Sequence, residues 1–272
     1  LHRSIVSMNM IQNLAIDGGT VRFDVVLTTP ACPLRATIDA DVRAALATVA
    51  GVTDVEIGWG ADVRAASRPG APSAVEGVRN LIAVASNKGG VGKSSVSVNL
   101  AVALARLGAR VGLLDADITG PNIPTMLGIE GGVLATGQEG LHTIEAFGVR
   151  ALSIGFVLPK GAPVVWRGPM IGSGVRQCLR DVDWGELDYL IVDLPPGTSD
   201  ASMTLAQESL IAGVVILSSP SKVSVEDATK AVGMFDRLGV PIFGVVENMS
   251  GDVFGRGGAR EAADEFGIEF LG

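Results

Sequence analysis

Cysteine and histidine are scarce in this chain of 272 residues, which contains two of each. The two cysteines, Cys32 and Cys178, are too few for the framework of disulfides that stabilises small secreted domains. His2 and His142 are isolated in the sequence, and neither has partners at the spacing of metal ligands. The composition therefore points away from a disulfide-rich fold and from a histidine metal site.

The chain also lacks long apolar runs and an excess of positive charge. No run approaches the roughly 18 residues of a membrane-spanning helix, and the N-terminal residues have no signal-peptide core. The net charge is −8 and the isoelectric point is about 4.8, whereas proteins that coat nucleic acids neutralise phosphates with lysine and arginine. We therefore expect a cytoplasmic protein that binds neither nucleic acid nor membranes.

Glycine is abundant, with 36 residues, while aromatic residues make up 4% of the chain, as in an α/β protein rich in turns. Residues 1–64 are predicted to form a small α+β domain. Residues 65–78, rich in alanine, proline, glycine and serine, are predicted to form a linker. Over residues 79–272 strands alternate with helices, which predicts a mostly parallel sheet covered by helices on both faces.

Hydrophobic periodicity gives the expected elements. Strands are expected at 20–29, 52–60, 80–86, 110–117, 149–156, 187–195, 213–219 and 241–249. Helices are expected at 34–49, 94–107, 121–127, 168–181, 200–210 and 224–238, and the segment ENMSGDVFGRGGA leads into one more helix. Ligands of such sheets bind at the carboxyl ends of the strands.

The stretch ASNKGGVGKSS, residues 85–95, carries the signature of a phosphate-binding loop, G-x-x-x-x-G-K-[ST]. Asn87 stands in place of the first glycine, and we expect it to preserve the turn because asparagine tolerates a left-handed backbone. An apolar strand precedes the loop and a helix follows it, which is the context that the motif requires. The predicted nucleotide-binding residues of this loop are Asn87, Lys88, Gly89, Gly90, Val91, Gly92, Lys93, Ser94 and Ser95.

The chemistry of this loop follows from its residue types. Its glycines let successive backbone N–H groups converge on anionic oxygens. Lys93 is expected to reach the β- and γ-phosphates of the nucleotide, and the Ser94 hydroxyl to ligate Mg²⁺. The helix that begins there directs its positive end at the phosphates.

Two acidic segments complete the predicted site. LDYLIVDLPPG is an apolar strand that ends in Asp193, the arrangement of a Walker B acid that holds Mg²⁺, usually through water. LLDADITGPN supplies Asp115 and Asp117, and we predict that Asp117 lies near the attacking water. The alternative for both of these residues is a helix cap or a turn. The loop at Pro195–Gly197 is a candidate switch near the γ-phosphate.

These motifs, together with WRGPM, DYLIVDLPPGTSDA and VENMSG, resemble the Mrp/ApbC group of deviant-Walker-A ATPases. Members of that group are iron–sulfur cluster carriers or scaffolds, related to MinD, ParA and the nitrogenase iron protein. The resemblance covers residues 79–272 and extends to residues 4–60, where TTPACPL is similar to a small iron–sulfur-assembly domain. It implies an Mg-dependent ATPase that transfers clusters to apo-proteins. The alternatives are a ParA- or MinD-like spatial organiser that binds DNA or membrane, and a nucleotide-sensing adaptor with negligible turnover.

The resemblance also implies roles for two residues outside the ordinary signature. Lys88 would cross the interface of a homodimer and contact the phosphates bound by the other subunit. Asn248 would read the adenine edge. From the residues alone, Lys88 is a second cation that lowers the electrostatic cost of a polyphosphate, and Asn248 is a polar residue at the end of a strand.

One departure concerns the cluster ligands. Members of the group commonly carry a C-x-x-C pair after the segment that matches ENMS, and two thiolates from each subunit would hold a [4Fe–4S] cluster. Here either this branch lacks the pair or a flexible loop is missing between Ser250 and Asp252. Cys32 precedes a predicted helix whose dipole favours thiolate, so it is a candidate for a thiol role, although burial as a small apolar residue is the alternative. Cys178 is expected in the core.

Overall fold

The computed structural model describes residues 4–117, 120–129, 142–153, 168–197 and 200–272, without the side chains of 168–171 and 200. Contacts divide the chain into a first compact unit that extends to Arg64 and a second one that comprises residues 65–106 and 110–272. None of the described helices combines the length and the apolar composition that a membrane span requires. The segment Trp166–Pro169, for which the sequence suggests only a loop-to-helix transition, lies partly outside the described residues.

The first unit is a three-stranded sheet with one helix. Its strands run in the order β1-β2-β3, with β1 antiparallel and β3 parallel to the central β2. Alternate residues of β2, from Val21 to Leu27, are buried because successive side chains of a strand point to opposite faces. Ile38, Val42 and Leu46 of the helix pack against them. The elements are β1 Ile11–Asp17, β2 Thr20–Leu27, α1 Arg35–Ala47 and β3 Asp54–Ala61.

The described residues of the second unit form a seven-stranded sheet in the order β10-β9-β4-β8-β5-β7-β6, and among these strands only the β6–β7 pair is antiparallel. This confirms the predicted α/β class with a mostly parallel sheet flanked by helices. Its strands are β4 Val78–Ala85, β5 Val111–Asp115, β6 Ile144–Ala146, β7 Val149–Ser153, β8 Leu187–Asp193, β9 Ile211–Ser218 and β10 Ile242–Glu247. Its helices are α2 Lys93–Arg106, α3 Ile123–Met126, α4 Gly168–Arg180, α5 Asp200–Glu208, α6 Lys222–Arg237 and α7 Gly258–Phe266.

Several predicted strands are too long at their carboxyl ends. The strand predicted at 187–195 ends at Asp193, because the prolines that follow lack the N–H that a ladder needs. The strand predicted at 110–117 ends at Asp115. The strand predicted at 149–156 is observed over Val149–Ser153, and its predicted end at 154–156 lies outside the described residues and stays a prediction.

Two strands were not predicted. In β1 the pairing register shifts between Gln12 and Ala15, and Asn13 has a φ of 52°, so this strand does not show a regular alternation. The other strand, β6, has three residues and joins β7 through Phe147 and Gly148, both with positive φ. A strand of this length is too short to give a periodic signal.

The outer side of β10 is covered by the last residues of the chain. Leu271 donates its N–H to the carbonyl of Val245 at 2.8 Å, and Glu247 donates its N–H to the carbonyl of Gly272 at 2.7 Å. Phe270 forms a parallel bridge with Val245. The ladder of the sheet therefore continues for a few residues beyond β10.

Strand order determines where the polar strand ends meet. The β4 strand, which leads into the phosphate-loop motif, lies next to β8, which in turn lies next to β5. Asp115 and Asp193 end β5 and β8 and are direct partners in the parallel register. Two carboxyl groups and the glycine-rich loop therefore share one edge of the sheet.

Candidate functional site

The segment between β4 and α2 forms a turn that leads directly into the first residue of the helix, Lys93. Gly90 and Gly92 have φ angles of 80° and 87°, which side chains with a Cβ rarely adopt. A Cβ on Gly92 would also collide with the amide of Asn248. Asn87 is not among the residues with positive φ, so the expectation of a left-handed backbone at this position is wrong.

A cavity of about 170 Å³ lies against this turn. It brings together most of the residues that the sequence assigned to nucleotide binding and catalysis: Lys88, Gly89, Gly90, Gly92, Lys93, Ser94, Ser95 and Asp117. Ser86, Asn122, Met126 and Pro196 complete the lining; Pro196 belongs to the loop predicted as a candidate switch, whereas the other three were not predicted. Four other predicted site residues do not line the cavity: Asn87, Val91, Asp193 and Asn248.

Lys93 is held in a buried polar network at the base of the cavity. Its ammonium nitrogen lies 2.8 Å from Oδ1 of Asp193, and the two side chains are 7% and 0% exposed. Ser94 donates its hydroxyl to Oδ2 of Asp193 at 2.6 Å, and Ser97 donates to Oδ1 at 2.7 Å. The Asp193 carboxylate is therefore compensated by one cation and two hydroxyl groups.

The ammonium group of Lys93 remains incompletely satisfied. Its contact with Asp193 does not have hydrogen-bond geometry, so Nζ is a buried donor without a hydrogen-bond partner among the described residues. Buried donors in native proteins are nearly always paired. An ammonium group carries three donors, and the cavity beside Lys93 is where an anionic oxygen could accept them. The arrangement fits a phosphate ligand.

Asp115 is a functional candidate to which the sequence assigned no definite role. Its carboxylate is 1% exposed and accepts hydrogen bonds from the hydroxyl of Ser153 at 3.0 Å and from the backbone N–H groups of Asp117 at 3.1 Å and Ile123 at 3.3 Å. Burial, followed by repulsion from the Asp193 carboxylate, raises the pKa of Asp115 to about 7. The sequence alone could not indicate this role, because only the order of the strands shows that Asp115 is the strand partner of Asp193.

Asp117 and Lys88 also line the cavity, and both are more exposed than Lys93 and Asp115. Asp117 is half-buried, and its Oδ1 accepts the N–H of Gly120 at 3.2 Å. Lys88 is exposed and makes no ion pair with any residue in the described part of the chain. Its backbone carbonyl accepts the Ser86 hydroxyl at 3.0 Å, which fixes the main chain while leaving the side chain in solvent.

Asn248 connects the turn to the end of β9. Its side-chain amide donates to the carbonyl of Val91 at 2.9 Å, and its own N–H donates to the carbonyl of Ser218 at the end of β9, at 2.8 Å. This contact with the turn was not foreseen. Contact with an adenine remains a prediction.

The segment after Asn248 closes into a small hairpin. Gly251 and Gly255 exchange backbone hydrogen bonds of 2.9 and 2.8 Å. Glu247 stabilises the base of this hairpin. Its carboxylate accepts hydrogen bonds from the N–H groups of Gly257 and Ala259, each at 2.8 Å, and from the Ser250 hydroxyl at 2.7 Å. Burial opposes ionisation of Glu247, but these hydrogen bonds outweigh it and lower its pKa.

The two cysteines differ in environment. Cys178 is 4% exposed, as predicted, and burial raises the pKa of its thiol to about 12. Cys32 is half-buried beside a cleft lined by Arg35, Asp39 and Trp59. The described residues contain no group of three or more histidine, cysteine, aspartate or glutamate side chains that could hold a metal ion.

Comparisons with known proteins agree with this geometry. Residues 77–272 match the family described as NUBPL iron-transfer P-loop NTPase, and residues 1–58 match the family described as iron-sulfur cluster assembly protein. The iron-sulfur cluster carrier protein of Deinococcus radiodurans is 50% identical over 278 residues, which cover 98% of this chain and 78% of that protein.

Two solved structures show the same fold in the larger unit. A nucleotide-binding protein of Archaeoglobus fulgidus in complex with ADP is 39% identical with a TM-score of 0.63, over 72% of this chain and 81% of that one. MinD in the MinC:MinD complex of Aquifex aeolicus is 22% identical with a TM-score of 0.53, over 71% and 80% of the two chains. The second likeness concerns the fold alone. From the family match over residues 77–272, we conclude that the chain belongs to the NUBPL iron-transfer P-loop NTPase family.

Proposed function

We propose that this protein binds Mg-ATP in the cavity beside residues 87–95, hydrolyses it, and couples the nucleotide cycle to the transfer of iron–sulfur clusters to apo-proteins. Membership of a P-loop NTPase family implies nucleotide hydrolysis. The observation that supports the ATP site in this chain is the buried Lys93 ammonium group, which has no hydrogen-bond partner among the described residues. The name of the D. radiodurans relative supports the cluster as cargo.

Lys93 and the glycine turn would bind the phosphates. The backbone N–H groups around Gly90 and Gly92 form a concave surface for anionic oxygens. Lys93 would exchange its contact with Asp193 for the β- and γ-phosphate oxygens, because a buried ammonium group gains hydrogen bonds by that exchange. Ser94 and Asp193 would hold Mg²⁺, since hydroxyl and carboxylate oxygens are the ligands that this ion prefers. When bound, Mg²⁺ neutralises charge on the phosphates.

Asp117 is the residue we assign to the attacking water. It lies on the cavity wall, and a carboxylate there can accept a hydrogen bond from water and orient it toward the γ-phosphate. Asn248 would contact the adenine with the side-chain oxygen that its hydrogen bond to Val91 does not use. Lys88 would act from the other subunit of a homodimer, which its exposed side chain permits.

Cys32 is the thiol of this sequence best placed to contact a cargo cluster. The chain has two cysteines, and Cys178 is buried with a raised pKa, so it cannot reach a cluster without unfolding of its surroundings. One Cys32 from each subunit supplies two of the four ligands that a [4Fe–4S] cluster normally needs. A cluster held in this way would be labile, which suits transfer.

The proposal is tested by phosphate release from ATP with and without Mg²⁺, in the parent protein, in Lys93→Ala and in Lys230→Ala. Lys230 forms an exposed ion pair with Asp227, so its substitution controls for the loss of a lysine. We expect Mg-dependent turnover in the parent and in Lys230→Ala, and loss of at least about 100-fold in Lys93→Ala. Equal turnover in all three proteins would overturn the assignment of the ATP site.

The proposed coupling between the nucleotide cycle and cluster transfer needs a second measurement. Clusters are reconstituted anaerobically on the parent and on Cys32→Ser, and transfer to an apo-[4Fe–4S] dehydratase is followed by its recovered activity, with and without Mg-ATP. We expect cluster binding and transfer by the parent and their loss in Cys32→Ser. A stable cluster that survives Cys32→Ser would contradict the role of Cys32. Nucleotide-dependent binding to DNA or liposomes without cluster transfer would instead favour a spatial organiser.

A further inference from the structure

Asp115 joins three separate parts of the structure through one buried carboxylate. It ends β5, and it accepts the Ser153 hydroxyl at the end of β7, the N–H of Asp117 two residues along the chain, and the N–H of Ile123 in α3. Ser153 is completely buried. A carboxylate has acceptor sites for all three donors, whereas other polar side chains of similar size do not.

The short helix α3 depends on this carboxylate for the start of its backbone. Asn122 is the N-cap residue of α3, but its side chain makes no capping hydrogen bond and donates instead to the carbonyl of Gly120 at 2.8 Å. Asp115 accepts the N–H of Ile123 at 3.3 Å in its place. An uncapped first turn leaves backbone N–H groups without acceptors. Asp115, at the end of β5, supplies the acceptor that the Asn122 side chain does not.

The residues positioned in this way face the cavity. Asp117, Asn122 and Met126 all line it, and the carbonyl of Asp193 anchors the start of the connection by accepting the N–H of Ala116 at 2.9 Å. Asp115 itself does not line the cavity. Its effect on chemistry must therefore pass through the residues that it holds.

We propose that Asp115 is a positioning residue, which does not touch the nucleotide but fixes Asp117 and α3 against the phosphate loop by joining β5, β7 and α3. This inference rests on the proposed ATP hydrolysis for its kinetic consequence. Lys93 and Ser94 belong to α2 and the glycine turn lies between β4 and α2, so the hydrogen bonds of Asp115 described above do not involve the groups that bind the phosphates. Loss of Asp115 should lower kcat and leave KM nearly unchanged.

The substitution Asp115→Asn tests this with little change in volume. An amide has one acceptor oxygen, so it cannot accept from both the Asp117 N–H, now bound to Oδ1, and the Ile123 N–H, now bound to Oδ2, and one of these two donors loses its acceptor. Displacements of about 1 Å can cost about 100-fold in rate, and we expect kcat to fall about tenfold or more with KM within about twofold of the parent. Ser153→Ala should lower kcat in the same direction by less, since it removes one of the three donors.

Asp188→Asn is the matched control. Asp188 is another buried carboxylate of the same sheet that accepts a backbone N–H, that of Arg110 at 2.9 Å, and it is also ion-paired with the side chains of Arg110 and Arg79. It lies at the start of β8, at the edge opposite to Asp193. Asp188→Asn should destabilise the fold without changing kcat below its melting temperature. An equal fall of kcat in both variants, or parent-like kcat in Asp115→Asn, would overturn the proposal.

A second readout separates this proposal from the proposed function. Amide hydrogen exchange is measured by NMR in the nucleotide-free protein, where no turnover is needed. We expect the amide that loses its acceptor, that of Asp117 or that of Ile123, to exchange about tenfold faster in Asp115→Asn than in the parent, because a lost hydrogen bond corresponds to about that ratio, and both amides to be unchanged in Asp188→Asn. If the parent fails to hydrolyse ATP, the proposed function fails, and unchanged exchange in Asp115→Asn would still decide against the positioning role.

Discussion

At the scale of single residues, the site is organised around Asp193, whose oxygens serve Lys93, Ser94 and Ser97 together. This carboxylate has no exposed surface. A buried charge of this kind is tolerated only when it is paired and hydrogen-bonded, and all three partners belong to α2. The start of the helix is therefore tied to the end of β8 by the same group that we assign to Mg²⁺.

The substitution Asp193→Asn should weaken the dependence of ATP hydrolysis on Mg²⁺. The amide keeps the shape of the side chain but removes the charge that attracts the cation. We expect the Mg²⁺ concentration for half-maximal phosphate release to rise about tenfold or more, since metal affinity follows ligand charge. A Mg²⁺ titration of this variant beside Asp188→Asn measures the shift, and superimposable titrations would remove Asp193 from the metal site.

The two cysteine side chains should respond differently to thiol reagents. Because the thiolate is the reacting form and burial raises the pKa of Cys178 to about 12, Cys178 should stay unlabelled by iodoacetamide in the native protein from pH 7 to about pH 10. Mass spectrometry after labelling should find the modification on Cys32, and Cys32→Ser should abolish it. Rapid labelling of Cys178 under native conditions would show that its surroundings open readily.

At the scale of secondary structure, the elements of the larger unit could be predicted well where the chain is strongly periodic. The buried strands β4, β8 and β9 and the amphipathic α6 appear within a few residues of their predicted positions. The turn between β4 and α2 could be located as well, because its motif has a definite context. The predicted ends of β5 and β8 lie two residues too far along the chain, since apolar residues continue after the backbone has left the ladder.

Features that depend on contacts across the sheet could not be predicted. Asp115 is one residue of an acidic turn in the sequence, and its partners Ser153 and Asp193 are distant in the chain. The contact between Asn248 and Val91 joins residues 157 positions apart. Neither contact leaves a local pattern, because each depends on the order in which the strands assemble.

The hairpin after β10 gives a prediction for Glu247. Glu247→Gln keeps the size of the side chain but weakens the hydrogen bonds from Gly257, Ala259 and Ser250, and we expect a loss of about 1 to 3 kcal/mol in the free energy of unfolding. Because the folded pKa of Glu247 is lowered, its stabilisation is present above its ordinary pKa of 4.5 and is lost as the pH falls through the lowered value. Denaturation of parent and variant at pH 7 and pH 3 measures this.

In those experiments the difference between the two proteins should be larger at pH 7 than at pH 3. Glu265→Gln, in the exposed last turn of α7, serves as a control of equal charge change. If Glu247→Gln is no less stable than this control at pH 7, the hydrogen bonds at the base of the hairpin are not stabilising.

At the scale of the whole molecule, the exposed Lys88 leads to a test of the proposed homodimer. Lys88→Ala should bind ATP nearly normally but lose turnover, because the phosphate-binding groups of its own subunit remain. Mixed with Lys93→Ala, it should recover activity, since one site of a mixed dimer then combines an intact Lys93 with the intact Lys88 of the partner. With random exchange of subunits, recovery of about a quarter of the parent activity is expected.

The control for this mixture is Lys88→Ala combined with the double variant Lys88→Ala/Lys93→Ala, which supplies no intact Lys88. Formation of mixed dimers is checked with two affinity tags. Absence of recovery in the first mixture, with mixed dimers demonstrated, would place the action of Lys88 within its own subunit. Recovery in both mixtures would remove Lys88 from the mechanism.

The backbone pairing of residues 269–272 with β10 bears on how the protein resists aggregation. An uncovered outer strand offers a row of unpaired N–H and C=O groups on which other chains can align and aggregate. Here Leu271 and Gly272 occupy those groups on β10, so a cut before Glu269 would bare the strand that leads to Asn248. Such a shortened protein should lose solubility over time, with nucleotide binding declining in step with the material lost to aggregates.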